Sequence, residues 1–253
     1  MPDETDGALA ARLAVEAGEL LVRVRDEMIA GGVYAWQLMD AGDMASHRFL
    51  VDQLHVARPD DVVMSEEGVD DSRRLTAERV WIVDPLDGTN EYGEGDRSDW
   101  AVHIALWERG SVDVAAVSLP ALGLVFSTDQ PPPLPTRERE RPRLVTSRTR
   151  NPWSAVVVAN ALDADAVRLG SAGAKAMAVV VGEADVYVHD GGMYQWDSAA
   201  PVAVARAAGL HASRIDGSPM VYNERDPWLP DVLVCRPELA DDVLAALRAG
   251  GWR

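Results

Sequence analysis

The 253-residue sequence predicts an α/β protein in two parts, an α+β N-terminal lobe and an α/β C-terminal lobe. Three patterns predict it. Apolar residues recur at helical spacing over residues 6–30. Short apolar runs then follow at hairpin spacing between residues 62 and 127. Past a proline-rich segment at 129–142, strand and helix patterns alternate. The predicted division is therefore 1–142 and 143–253.

In the first helix, Leu9, Leu13, Ala17, Leu20, Leu21, Val24 and Met28 form one stripe. A second helix is expected over about 43–55, opened by Asp43, with Phe49, Leu50 and Leu54 inward. Val62-Val63-Met64 reads as a short strand ending at Ser65-Glu66-Glu67. The next strand is 80–83, and Pro85, which cannot donate to a ladder, is expected to stop it. Residues 101–106, 112–118 and 123–127 read as strands, with turns at Glu108-Arg109-Gly110 and Pro120-Ala121. The result is two helices against an antiparallel sheet. Pro131, Pro132, Pro133 and Pro135, followed by alternating charges from Arg137 to Arg141, read as an exposed loop or linker. Beyond it, 144–146 and 156–158 are expected as strands, 173–181 as a helix of small residues, 185–188 as a strand and 196–208 as a helix. Residues 232–235 form a last strand, and 237–249 a helix with Leu239, Val243, Leu244 and Leu247 inward.

Composition narrows the function. A chain that is 47% hydrophobic has the material for a sizeable core. A net charge of −17 argues against a polynucleotide or an anionic membrane surface as partner. A small anion bridged by cations stays in play. Cys235 is the only cysteine, so an internal disulfide and Cys/His zinc clusters are excluded. The start, MPDETDG, lacks a basic and then apolar leader, and no window approaches 18 apolar residues. A cytoplasmic location without a membrane span is expected. Lys175 is the only lysine.

The chemistry gathers at acids that end strands. In Trp81-Ile82-Val83-Asp84-Pro85-Leu86-Asp87-Gly88-Thr89-Asn90, the turn can aim Asp84 and Asp87 at one point and leave the Leu86 carbonyl free. Two carboxylates and a carbonyl are a hard-oxygen set suited to Mg²⁺. Gly88 permits close approach, and the amides of Gly88, Thr89 and Asn90 would cradle a phosphate if a helix starts there. A plain turn with a helix N-cap is the competing reading. Taken singly, Glu66 fits a solvated turn, Asp197 in Trp196-Asp197-Ser198-Ala199-Ala200 an N-cap, and Asp43 a helix start.

The combination D-P-L-D-G-T with a downstream W-D-x-A-A resembles the inositol monophosphatase superfamily, the lithium-sensitive, Mg²⁺-dependent phosphatases. The resemblance runs from Asp43 to the C-terminal helix. It implies a layered α-β-α-β-α fold and a phosphomonoesterase using two to three Mg²⁺ ions. Glu66, Asp84 and the Leu86 carbonyl would hold one ion. Asp84, Asp87 and Asp197 would hold a second, and a third would lean on Glu66. Asp43 would pair with the Thr89 hydroxyl and orient the attacking water. Gly88, Thr89 and Asn90 would bind the phosphate. Members are often dimers, which leaves a homodimer open.

Within the superfamily, the stretches from Asp99 to Trp107, Gly170 to Met177 and His211 to Pro219 look most like the CysQ-type 3′(2′),5′-bisphosphate nucleotidase branch. Lys175 matches a lysine which that branch uses near the substrate's phosphates; the alternative is a lysine snorkelling from an exposed helix face. Ser171 is a match displaced by one position. Asn90 stands where Lys or Arg is usual, and His189 where Arg is usual, so fixed positive charge is missing from the phosphate side. The implied substrate is 3′-phosphoadenosine 5′-phosphate. Inositol monophosphate and fructose 1,6-bisphosphate are the alternatives, and a non-catalytic phospho-ligand sensor is the reading from another class.

Overall fold

The computed structural model describes residues 4–252, so the first three residues of the acidic start lie outside it. Helices α1 (Asp6–Ala30) and α2 (Ala35–Ala57) come first. Strands β1 (Val62–Ser65) and β2 (Arg79–Asp87) follow, then the short helix α3 (Thr89–Gly93) and strands β3 (Ala101–Glu108), β4 (Ser111–Leu119) and β5 (Leu124–Ser127). After the linker come β6 (Arg143–Ser147), α4 (Trp153–Leu162), β7 (Asp165–Leu169), α5 (Ala172–Val180) and β8 (Val186–His189). The chain closes with β9 (Met193–Tyr194), α6 (Gln195–Ala207), β10 (His211–Ser213), β11 (Trp228–Leu229), β12 (Val232–Cys235) and α7 (Ala240–Ala249). Among the described residues, no helix is long and apolar enough to cross a membrane.

Two five-stranded sheets, ordered β1-β2-β3-β4-β5 and β10-β12-β8-β6-β7, set the layers. Helices α1 and α2 cover the outer face of the first sheet around Leu9, Leu13, Leu50, Trp81 and Ile104. Helices α5 and α6 fill the space between the sheets, where Val80, Ile82, Val117, Met177, Val179, Val204 and Val234 join one core. Helices α4 and α7 close the outer face of the second sheet around Val158, Leu233 and Leu247. The layers run α-β-α-β-α, as the resemblance implies.

Four expectations are corrected. Helix α2 begins at Ala35, so Asp43 lies mid-helix and does not open it. Gly42 sits inside that helix because a side chain there would come within 2.5 Å of Tyr92 Cε1. The first sheet is mixed, since β1 pairs with β2 in parallel. Residues 156–158 form no strand; the β-branched run lies in α4, which starts directly after Pro152 and packs on α7 and the sheet. Strand β2 does not stop at Pro85. Its pairing with β3 runs Asp84 opposite His103 and Asp87 opposite Ala101, so β2 carries one extra residue there. Strands β7, β9, β10 and β11 have patterns too short or too polar to be read from the sequence.

Arg25, buried within the stripe of α1, fixes the segment after α3. Its guanidinium donates to the carbonyls of Tyr92 (3.0 Å), Arg97 (2.8 Å), Glu91 (3.1 Å) and Glu94 (2.7 Å). It also lies 5.4 Å from the ring centroids of Tyr92 and Trp100. Arg25→Ala leaves these carbonyls without a donor and is expected to destabilise the fold by about 3 kcal/mol. Urea denaturation of the variant beside wild type measures this; an unchanged midpoint would show that water replaces the guanidinium freely.

Candidate active site and metal centre

The bulge in β2 explains how two acids three residues apart come to face one point. In a regular strand, residues i and i+3 lie on opposite faces. One extra residue restores them to the same face, and Pro85, with no N–H to offer, occupies the bulge. Ser46 of α2 holds it by donating its hydroxyl to the Pro85 carbonyl at 2.7 Å. The carboxylates of Asp84 and Asp87 then meet that of Asp197, near the start of α6, with one oxygen of each lying within 4.8 Å of the others.

The environments of these acids differ. Asp84 is fully buried; its Oδ1 accepts from the Leu86 N–H at 3.1 Å, and its Oδ2 has no hydrogen-bond partner among the described residues, with His103 Nδ1 3.8 Å away. Burial, then the charges of Glu66, Asp87 and Asp197, push its carboxyl well above the ordinary value. Burial followed by Asp87 raises Asp197 to about 6. Glu66 stands exposed at the end of β1, yet the surrounding protein and Asp197 raise it to about 7. Asp87 behaves in the opposite sense. Burial works to raise it, but His103, Lys175 and the Gly173 amide outweigh burial and hold it below the ordinary value. Its oxygens accept from Ala172 N (3.2 Å) and Gly173 N (2.6 Å) in the first turn of α5. An orphaned buried oxygen within a set of mutually repelling hard donors fits a divalent cation.

Thr89 and Asp43 meet beside this cluster. The Thr89 hydroxyl lies 3.3 Å from Asp43 Oδ1 and 3.1 Å from the Leu86 carbonyl, so that carbonyl is not free as expected but has the hydroxyl as a neighbour. Burial, then the charge of Glu67, raises Asp43 to about 7. Gly88 adopts φ 89°, in the left-handed region, and a Cβ there would lie 2.9 Å from Ser171 Cβ. Helix α3 does start at Thr89, with Gly88 as its N-cap residue and no side-chain cap, as both the phosphate reading and the plain turn with a helix N-cap require.

A pocket of about 350 Å³ opens over the acids. Glu66, Asp87, Gly88, Thr89, Asn90, Ser171, Lys175, His189 and Asp197 all line it; Asp84, Leu86 and Asp43 lie behind its wall. Lys175 is not on an exposed helix face. It is 4% exposed, with its ammonium donating to the carbonyls of Gly170 and Ser171, and burial lowers it to about 8. The Ser171 hydroxyl caps α5, accepting from Ala174 N at 2.9 Å. His189 is buried, not a surface histidine; its Nε2 donates to the Gly192 carbonyl at 3.1 Å, and burial lowers its pKa.

Several residues were not legible in advance. His103, fully buried, places Nδ1 3.1 Å from the Trp196 carbonyl and Nε2 3.2 Å from Asp87 Oδ2. It packs so closely that a Cβ on Gly173 would lie 2.2 Å from Nε2. Its alternation with Ala101 and Ala105 on an apolar strand was the available signal. Ser147, Thr149, Arg150, Tyr187 and Tyr194 also line the pocket, brought in from three segments that sequence spacing does not connect.

The raised carboxyls have a consequence for stability. Folded, Asp84, Glu66 and Asp197 retain protons that the unfolded chain has already released. Without a divalent cation, stability therefore falls as pH rises from about 4, where unfolded carboxyls ionise, through about 7, the value of Glu66. Asp84→Asn removes one charge. It is expected to raise the metal-free melting temperature near neutral pH by roughly 3 °C or more and to abolish most of the stabilisation by added Mg²⁺. Thermal melts across this pH range with and without Mg²⁺ check it; a metal-free protein that only gains stability toward pH 7 would refute it.

Residues 8–250 match the inositol monophosphatase family. The chain is 47% identical to the 3′-phosphoadenosine 5′-phosphate phosphatase of Mycobacterium leprae, over 96% of this chain and 94% of that one. It is 49% identical to the protein of the same name from Mycobacterium bovis, over 94% and 91% of the two chains. The crystal structure of CysQ from Bacteroides thetaiotaomicron superposes with a TM-score of 0.80 at 23% identity, over 92% and 98% of the chains, which shows the shared fold. The match spans nearly the whole sequence, and with the D-P-L-D-G-T bulge and the acid of W-D-x-A-A meeting in one cluster, the chain belongs to the inositol monophosphatase family.

Proposed function

We propose that this phosphatase removes the 3′-phosphate of 3′-phosphoadenosine 5′-phosphate in a Mg²⁺-dependent hydrolysis. The observation that carries the reading is the orphaned Asp84 oxygen within a carboxylate cluster at the base of a pocket walled by Gly88, Thr89 and Asn90. The names of the two mycobacterial relatives support the choice of substrate. In this reading Glu66, Asp84, Asp87, Asp197 and the Leu86 carbonyl hold two to three Mg²⁺ ions. Bound ions would supply neutralisation of the phosphate dianion and acidification of water.

The chain's own residues do the rest. Gly88, Thr89 and Asn90 hold the phosphate against the cluster, with the positive end of α3 behind them. The Thr89 hydroxyl and Asp43 orient the attacking water. Asp43, raised to about 7, is suited to take up a proton near neutral pH. The segment before the linker carries most of the metal ligands; the segment after it adds Asp197 and the groups that choose the substrate.

Phosphate release with Mg²⁺ from 3′-phosphoadenosine 5′-phosphate, inositol 1-phosphate and fructose 1,6-bisphosphate, run side by side, tests the reading. The nucleotide is expected to give the highest kcat/KM; a higher value for either other substrate would reassign the substrate and leave the metal chemistry standing. No release from any of them would favour a phospho-ligand sensor. Asp43→Asn is expected to lower kcat by about 10²- to 10⁴-fold with KM little changed. Single-turnover kinetics on the purified variant measures that step.

A further inference from the structure

The charged groups of the pocket come from two places. Its acids come from the ends of β1 and β2, from Glu91 in α3 and from the start of α6. Arg150 follows β6, and His189 is the last residue of β8; the two strands are adjacent and parallel, so both residues lie at the same end of the second sheet. They flank one glycine: a Cβ on Gly191 would lie 3.2 Å from His189 Cε1 and 3.7 Å from Arg150 Nη1. Lys175 and Arg150 both act on His189 as neighbouring positive charges.

Arg150 differs from every other cation around it. Arg148 is engaged with Glu91 and Glu94, and Arg97 with Asp99. Arg168 donates to the Ser147 carbonyl and to Asn151. The Lys175 ammonium is occupied by two carbonyls. His189 is buried, and its Nε2 proton is directed at Gly192. Among the described residues, the Arg150 guanidinium has no carboxylate partner and no hydrogen bond; only its backbone N–H is engaged, with Ser147 Oγ at 3.2 Å. The Ser147 and Thr149 hydroxyls stand beside it, 3.4 Å apart, on the same pocket wall. A fixed positive charge with an open fork of N–H donors is suited to a second anion held beside the reacting phosphate.

We propose that Arg150 anchors a second, non-reacting phosphate of the substrate and so sets a preference for bisphosphates over monophosphates. It takes the place of the charge that Asn90 and His189 do not carry. The inference rests on the proposed nucleotide substrate and assigns the residue that recognises it.

The test is steady-state kinetics of wild type, Arg150→Gln and Arg150→Lys on 3′-phosphoadenosine 5′-phosphate and on adenosine 3′-monophosphate, which lacks the second phosphate. Arg150→Gln is expected to raise KM for the bisphosphate by about 10- to 100-fold, the range of a charge-assisted hydrogen-bonded pair. Its KM for the monophosphate should rise far less than that for the bisphosphate, and its melting temperature should stay at the wild-type value, because the side chain is exposed and has no hydrogen bond among the described residues. Arg150→Lys should recover part of the loss. Equal losses on both substrates, or none on the bisphosphate, overturn the role of Arg150 while wild type still prefers the bisphosphate. A wild type without that preference overturns the substrate reading itself, and this inference with it.

Discussion

Mutual repulsion among four carboxyls in one corner is the constraint on which the rest of the site depends. Asp84, Asp87, Asp197 and Glu66 cannot all ionise there without a counter-charge, and the chain supplies only part of one. The first turn of α5 lends two amides to Asp87, with His103 and Lys175 close by. Asp197, near the start of α6, accepts from the Tyr194 N–H at 2.5 Å. Nothing comparable reaches Asp84 Oδ2. The fold thus satisfies one acid and leaves the deepest one for a cation, at a cost in stability that a purely structural site would not carry.

The layered architecture makes this concentration of charge feasible. The acids sit where β1 and β2 end and α5 and α6 begin, so backbone N–H groups at two helix starts face the cluster while apolar layers exclude water behind it. Outside the first sheet, α2 contributes Ser46 to the bulge and Asp43 to Thr89, and Arg25 of α1 clamps the segment that follows α3. These contacts cross from one layer to the next, and a shift of either helix would misplace the Thr89 hydroxyl at the pocket and the Asp43 carboxyl behind it.

The pocket's second wall is built on another principle. There the basic groups differ in how far the protein already occupies them: Lys175 is held by two carbonyls and the buried His189 donates to Gly192, while the Arg150 guanidinium has no partner among the described residues. Acids that call for cations and an open arginine thus share one cleft, an arrangement matched to a ligand with more than one phosphate.

By itself the sequence determined what is local. The helical stripe of α1, the strand-ending acids, Gly88 before a helix start and Asp197 in W-D-S-A-A are each set by residues within a few positions of one another, and the D-P-L-D-G-T pattern carried the family with them. The reading failed where packing outvotes propensity. The Val156-Val157-Val158 run became helix because α7 and the second sheet give it an apolar surface to cover. Asp43 lies mid-helix because Gly42 lets α2 close onto Tyr92. Pro85 did not end β2, since a bulge accommodates its missing N–H and turns both acids to one face. Only the tertiary structure decided that His103 lies opposite Asp84, that Lys175 is buried on carbonyls, and that, among the described residues lining the pocket, the Arg150 guanidinium is left without a partner. These depend on which groups meet across strands and lobes and on which partners they have already found, and no spacing along the chain encodes either.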